Sequence, residues 1–240
     1  MKLAIILPTY NEILTLPIFL NSLYLKLPNV NLILIVDDSD RSVQLEMQKE
    51  LDRFENIVFI RNNVKNGRGA AVRQGMAHIL KNHEYITHVI EADCDGSHRI
   101  DDIVTMAKAD PKLDFIIGSR YLSESKIIGW SWSRKFLSKL LNNIIPNLLN
   151  IETSDITNGL RRYSKKALIP ICQEAATSSS FIYLSEQALI LKRSKLTVTE
   201  IPIVFESRIA GRSSVGSAEI INSIIGLYKI IKMRKRNENV

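Results

Sequence analysis

Five short apolar runs, at residues 2–7, 31–36, 56–60, 86–90 and 113–117, constrain this chain more than any other feature. Each has strand length, and a segment with helical spacing separates it from the next. A β-α-β-α-β rhythm of this kind predicts a mostly parallel central sheet with helices on both faces, because parallel neighbours need crossovers and the crossovers cover the sheet. The helical spacing places helices over Ile13–Leu25, Ser42–Phe54 and Gly69–Lys81. Past residue 120 the rhythm changes. A long apolar and basic stretch, "WSWSRKFLSKLLNNIIPNLLN", is followed by short mixed elements and a late strand, "TVTEIPIVF". No linker, repeat or low-complexity segment interrupts the 240 residues, which predicts one domain. Residues 1–120 would form a Rossmann-like nucleotide-binding half, residues 121–215 would complete the site, and residues 216–240 would form a basic amphipathic helix.

Composition narrows the function classes. With 45% hydrophobic and 24% charged residues the chain can fill a core and is not generally disordered. The runs "LAIIL" and "NLILIV" are far short of a bilayer span, and "MKLAIILPTYNE" breaks at Pro8 without a signal-peptide cleavage pattern. Cys94 and Cys172 stand far apart in no metal-binding spacing, so neither a zinc site nor a disulfide framework is implied, and a reducing cytosol is the simplest home. A net charge of +7 suggests an anionic partner: a nucleotide, a phospholipid surface or nucleic acid. Much of the excess lies in "KIIKMRKR", which also reads as a solvated helix end.

The segment "EADCDGSH" sets Asp93 and Asp95 at the carboxyl end of the fourth apolar run, where open α/β sheets bind ligands. Two carboxylates flanking one residue can hold a hard divalent cation, magnesium or manganese, which in turn can neutralise a diphosphate. The same turn could be solvated, with its acids capping a helix near Ile100. Two other strand ends, "PTYNE" and "VDDSD", point polar residues at the same crevice. "KNGRGAAVRQG" adds a loop whose Gly67 and Gly69 permit close backbone approach; it lacks the G-K-[ST] of a P-loop.

Taken in order, "PTYNE", "VDD", "KNGRGAAVRQG", "DCDGSH", "GSRY", "DITNGLRRY", "EIPIVFESR" and "GRSS" resemble the family 2 glycosyltransferases with the GT-A fold. Within that family the chain looks most like the dolichol-phosphate mannose synthase group, over Leu3 to about Ser214. The resemblance implies an inverting, metal-dependent hexosyltransferase. It would move a sugar, mannose favoured, from a nucleotide sugar such as GDP-mannose to a polyprenyl phosphate, with Mg2+ or Mn2+ as cofactor and no nucleic-acid partner. It implies a nucleotide-sugar pocket lined by Pro8, Tyr10, Glu12, Val36, Asp37, Asp38, Lys65, Gly69, Asp93, Arg208 and the position of Ser214. Asp38 ranks above Asp37 as the contact to base or ribose. Asp93, Asp95 and Ser97 match the metal and diphosphate positions. The register "DCDGSH" is preferred to "EAD", which leaves Glu91 as a bystander.

On the acceptor side, Arg120 of "GSRY" with Arg134 and Ser138 of "WSWSRKFLS" match positions that hold the acceptor phosphate. Forked guanidinium donors suit phosphate oxygens. Asp93, Asp95, Arg120 and Arg134 are therefore the catalytic candidates. In "DITNGLRRY", Asp155, Thr157, Gly159, Arg161 and Tyr163 either shape the sugar pocket or brace it. Glu186 matches a family acid, with a solvated helical glutamate as the equal reading, beside Gln187. One departure stands out: the family's lysine after "PIVF" is Ser214 here, and Arg212 could substitute.

The resemblance implies a peripheral location on the cytoplasmic face of a membrane, with a membrane-spanning partner subunit possible. Ile220, Ile221, Ile224, Ile225, Tyr228 and Ile231, with Lys229, Lys232 and Arg234 nearby, could lie on an anionic bilayer or pack on the sheet. Three other functions remain open at this level: transfer to a saccharide hydroxyl, sugar nucleotidyl transfer, and nucleotide binding without catalysis.

Overall fold

The structure, a computed structural model, describes residues 1–176, 181–208 and 225–232. Its frame is a seven-stranded sheet of β1 (Leu3–Thr9), β2 (Leu32–Asp37), β3 (Ile57–Arg61), β4 (His88–Glu91), β5 (Phe115–Ser119), β7 (Arg161–Ser164) and β8 (Val198–Pro202). Two short strands, β6 (Lys126–Ile127) and β9 (Val204–Phe205), pair outside it. The order across the sheet is β3-β2-β1-β4-β7-β5-β8, and only β7 runs antiparallel to its neighbours. β1 has β2 on one side and β4 on the other. The winding therefore reverses at β1, and the ends of β1 and β4 open the crevice that such a reversal creates.

The five expected strands are all present, and the helices between them are α1 (Thr15–Lys26), α2 (Arg41–Leu51), α3 (Arg68–Asn82) and α4 (Ile100–Lys108). α2 stops three residues short of the expected Phe54. The Phe54 ring instead stacks on Tyr24 of α1, with ring centres 5.7 Å apart. Strand periodicity divides the core into two layers. Ala4, Ile6, Leu32, Leu34 and Val36 meet α3, α6 (Lys165–Gln173) and α7 (Tyr183–Arg193) on one face. Leu3, Ile5, Leu7, Ile33 and Ile35 meet α1, α2 and α4 on the other.

"TVTEIPIVF" is not one strand. β8 ends at Pro202, and the chain then crosses to pair β9 with β6, which brings Phe205 over the acidic turn. The long apolar and basic stretch is α5 (Trp132–Leu149). Its inner side buries Asn142, Ile145, Pro146 and Leu149, while Trp132, Phe136, Leu137, Leu140, Leu141, Ile144 and Leu148 remain exposed.

In the helical residues 225–232, Leu227, Ile230 and Ile231 pack on the core, and Ile225 and Tyr228 face solvent. This part of the basic helix packs on the core, and Ile231 is not on a free face. Ile220, Ile221, Ile224 and Arg234 lie outside the described residues, as do Gly211, Arg212, Ser213 and Ser214.

Candidate active site

The first wall of the crevice is tied together by two aspartates. Asp37 is fully buried and accepts hydrogen bonds from the Thr9 hydroxyl (2.7 Å) and from the Ser39 amide and hydroxyl. This joins the ends of β1 and β2. Asp38 accepts from the Asn62 side chain (2.8 Å) and from the backbone N–H groups of Asn66 (2.9 Å) and Gly67 (2.8 Å). The "KNGRG" loop is thus wound around one carboxylate, and Gly67 has φ +88°, a conformation that favours glycine.

Tyr10, 42% exposed, presents its ring at the crevice with the Lys65 ammonium 3.7 Å from the ring centre. Pro8 pairs in register with Val36, whose side chain belongs to the core. Gly69 does not open onto the crevice. It lies in α3 against the Tyr183 ring, where a Cβ would come within 2.7 Å.

The acidic turn follows β4. Gly96, at φ +87°, reverses the chain, and the Ser97 N–H donates to Asp95 Oδ1 at 2.9 Å. Asp95 is only 3% exposed, and its Oδ2 accepts from Arg208 Nε at 2.7 Å. Ser97 is buried beside it, and its carbonyl accepts from the Glu206 N–H. The Asp93 N–H donates to His98 Nδ1, which places the imidazole proton on Nε2, facing Asn158 Oδ1. Asp93 Oδ1 accepts from Arg68 Nε (3.0 Å) and Nη2 (2.8 Å). Burial works to raise the Asp93 carboxyl, but the charge and hydrogen bonds of Arg68 outweigh it and hold the pKa down to about 2. Burial raises the Glu12 carboxyl above the ordinary range. Asp95 and Asp93 add to that rise, and the Thr15 hydroxyl and Arg208 oppose it.

Arg68 was only a letter of a loop motif in the sequence, and it proves central. Its Nη1 reaches Glu91 Oε1 at 2.5 Å and the Tyr183 hydroxyl. Glu91, fully buried, also accepts from the hydroxyls of Tyr163 and Tyr183. Glu91 is thus held in the interior by Arg68 and two tyrosines, whereas Asp95 is paired with Arg208. The arginine in "NGRG" was the available signal, but its partner could not be read from spacing.

On the other side, Arg120 is clamped by Asp155, with Nε and Nη2 each 2.7 Å from a carboxylate oxygen, and by the Thr157 hydroxyl. Its guanidinium lies 5.3 Å from the ring centres of both Trp130 and Phe205. Arg134 stacks on Trp130 at 4.0 Å. Partial burial, then the charges of Arg208 and Arg120, lower its pKa. Two guanidinium groups thus lie over Trp130, and the charge of a third, Arg208 on Asp95, acts on Arg134. Trp130 Nε1 and the Tyr121 hydroxyl are buried with no hydrogen-bond partner among the described residues, which suits an incoming oxygen-rich ligand. Ser138 is half-buried on α5, and its carbonyl accepts from Asn142, which also reaches Thr157.

The "DITNGLRRY" residues brace the site. Asp155 holds Arg120, and the fully buried Arg161 donates to the carbonyls of Ile156, Asn158 and Leu184. Glu186 is buried, which overturns its reading as a solvated helical glutamate, and Gln187 accepts from the Tyr163 hydroxyl at 2.8 Å.

A divalent cation suits these donors. Asp93 and Asp95 offer hard carboxylate oxygens, and the Arg208 guanidinium already stands as a cation against the buried Asp95. Among the described residues no group of three or more His, Cys, Asp or Glu side chains is gathered for a metal. The protein would supply two carboxylates, and a bound diphosphate or water the rest.

Comparison with known proteins is consistent with this geometry. Residues 4–171 match the family described as Glycosyl transferase family 2. Over 222 residues the chain is 30% identical to the polyprenol monophosphomannose synthase of Mycolicibacterium smegmatis, covering 91% of this chain and 83% of that protein. It is 26% identical over 230 residues to the undecaprenyl-phosphate mannosyltransferase of Micrococcus luteus, covering 95% and 93%. Among solved structures, glucosyl-3-phosphoglycerate synthase from Mycobacterium tuberculosis, in complex with Mg2+ and uridine-diphosphate, superposes with a TM-score of 0.66 at 12% identity. That match covers 96% of this chain and 79% of the other. The same enzyme with Mn2+, uridine-diphosphate and phosphoglyceric acid gives 0.64 at 13% identity, over 97% and 78%. The architecture is the GT-A fold.

Proposed function

The chain belongs to glycosyl transferase family 2, and from that premise we propose that it transfers a hexose, mannose favoured, from a nucleotide sugar such as GDP-mannose to a polyprenyl phosphate. The observation that carries this reading is the placement of Arg120 and Arg134 over the Trp130 ring, with Arg208 on Asp95 close enough for its charge to act on Arg134. Such a cluster suits an acceptor that is itself an anion. A phosphate oxygen is already charged near neutral pH and needs no strong general base, whereas a sugar hydroxyl does. Asp155 is committed to Arg120 and Asp93 to Arg68, so neither is free to serve as that base.

The reaction is a single in-line displacement. An acceptor phosphate oxygen forms the new bond to the anomeric carbon as the bond to the nucleoside diphosphate breaks, with inversion, and the diphosphate leaves with the electron pair. Arg120 and Arg134 hold the acceptor phosphate, and Arg208 faces the departing diphosphate. Tyr10, Glu12 and Lys65 line the nucleoside end, with the loop wound on Asp38. Asp93 and Asp95 would hold Mg2+ or Mn2+, which supplies positive charge for the diphosphate.

Access to a lipid acceptor fits the outer face of α5. Its apolar residues have Arg134, Lys135 and Lys139 along their borders, and α5 carries no acidic residue. An in-plane helix at an anionic membrane surface has this pattern. No helix among the described residues is long and apolar enough to cross a membrane. Peripheral attachment, on the cytoplasmic face in keeping with two free cysteines, is the proposed location. A spanning partner subunit is a second route to the same surface.

The test is a radiolabel transfer assay with purified protein, short-chain polyprenyl phosphate, Mn2+ or Mg2+, and a panel of nucleotide sugars including GDP-mannose and UDP-glucose. Label moving into the organic phase, and lost in Asp95→Asn, supports the reading and identifies the donor. Label passing to a water-soluble saccharide instead would establish a hydroxyl acceptor.

A further inference from the structure

Three motifs far apart in the chain meet at one side chain. Arg68, the first residue of α3, inserts its guanidinium between Glu91 and Asp93. Its far side lies against Gly159, where a Cβ would come within 2.4 Å of Nη2. Gly159 does not have a positive φ, so its want of a side chain answers to space and not to backbone conformation. Below, Glu91 is held by the hydroxyls of Tyr163 and Tyr183, and Tyr163 donates also to Gln187. The arginine therefore stands on a fixed base.

We infer that Arg68 is the positioning residue for Asp93, and that Gly159 is small in order to admit it. Both Arg68 bonds to Asp93 fall on Oδ1. That oxygen is turned toward the protein, and Oδ2 is left 4.0 Å from His98 Nδ1, beyond hydrogen-bond range. The forked guanidinium does what a lysine could not: it spans two carboxylates and fixes the plane of one. The inference rests on the reading of Asp93 and Asp95 as metal-holding residues.

The experiment measures Mn2+ binding without nucleotide, from the free Mn2+ signal in electron paramagnetic resonance, alongside thermal melting. In Arg68→Met/Glu91→Gln the fully buried charge of Glu91 leaves together with its partner, and the Asp93 carboxylate, a quarter exposed, can be solvated, so the fold is expected to persist. Its Mn2+ dissociation constant should rise about tenfold or more, the usual scale for losing a group that orients a metal ligand. Gly159→Ala keeps every charge and should shift affinity in the same direction. Glu91→Gln alone keeps Arg68 on Asp93; it should lower the melting temperature yet hold affinity within about twofold. Unchanged Mn2+ affinity in a folded double variant and in Gly159→Ala would overturn the inference. Absence of Mn2+ binding by the unaltered chain would overturn the metal reading, and this inference with it.

Discussion

Arg208 Nε lies 2.7 Å from Asp95 Oδ2, so a guanidinium that follows β9 neutralises a carboxylate that follows β4. A divalent cation at Asp95 would compete with this pair. Arg208→Gln should therefore bind Mn2+ at least as tightly as the unaltered protein. Its kcat/KM for sugar transfer should fall about 100-fold, because the departing diphosphate loses a charged donor. Calorimetric Mn2+ titration beside steady-state assays would separate the two effects.

The hold of Arg68 on Asp93 sets an acid limit to stability. Asp93 has a folded pKa of about 2 against a reference of 3.8. The stabilisation is present in full above pH of about 4, and is lost as pH falls through the folded value, where the carboxylate takes up its proton. The contribution is of the order of 2 kcal/mol. Urea midpoints between pH 5 and pH 2 should fall less steeply for Asp93→Asn than for the unaltered chain.

Gly69→Ala tests packing against propensity. Alanine favours a helix by about 1 kcal/mol over glycine. Here, however, the new methyl would meet the Tyr183 ring at 2.7 Å, and that ring is held by Arg68 and Glu91. Overpacking costs about 1–3 kcal/mol, so the net effect should be destabilising. A lowered urea midpoint with unchanged slope is expected.

The outer face of α5 predicts a membrane effect without a stability effect. Trp132 and Phe136 are 78% and 57% exposed, so polar replacements there cost the core little. The triple variant Trp132→Ser, Phe136→Ser and Leu140→Ser should melt within a few degrees of the unaltered protein. Its binding to phosphatidylglycerol vesicles, followed by flotation, should fall more than tenfold, given roughly 1.5–3 kcal/mol for each large apolar side chain buried. Retained binding would move the contact to another surface. Failure of the unaltered chain to bind protein-free vesicles would favour a partner subunit.

Much of the fold was legible from spacing. The five apolar runs became β1 to β5, and the period-two alternation of β1 and β2 assigned each side chain to one of two core layers. The acidic turn was legible too, because Gly96 and the Asp95 to Ser97 bond act within a few residues. Less legible were Glu186, which looks like a surface residue on a helix but is buried, and Gly69, whose small size serves Tyr183 and not the crevice.

By itself, then, the sequence determined the strand and helix rhythm, the crevice at the ends of β1 and β4, and the acidic turn delivered to it. These rest on steric and hydrophobic preferences among near neighbours, which local pattern carries. Only the tertiary structure decided what each charged group meets. Arg68 and Gly159 are 91 positions apart, and Arg120 and Asp155 are 35 apart. Such pairings are set by how whole helices and strands pack, because a buried charge is stable only where the completed fold supplies its partner.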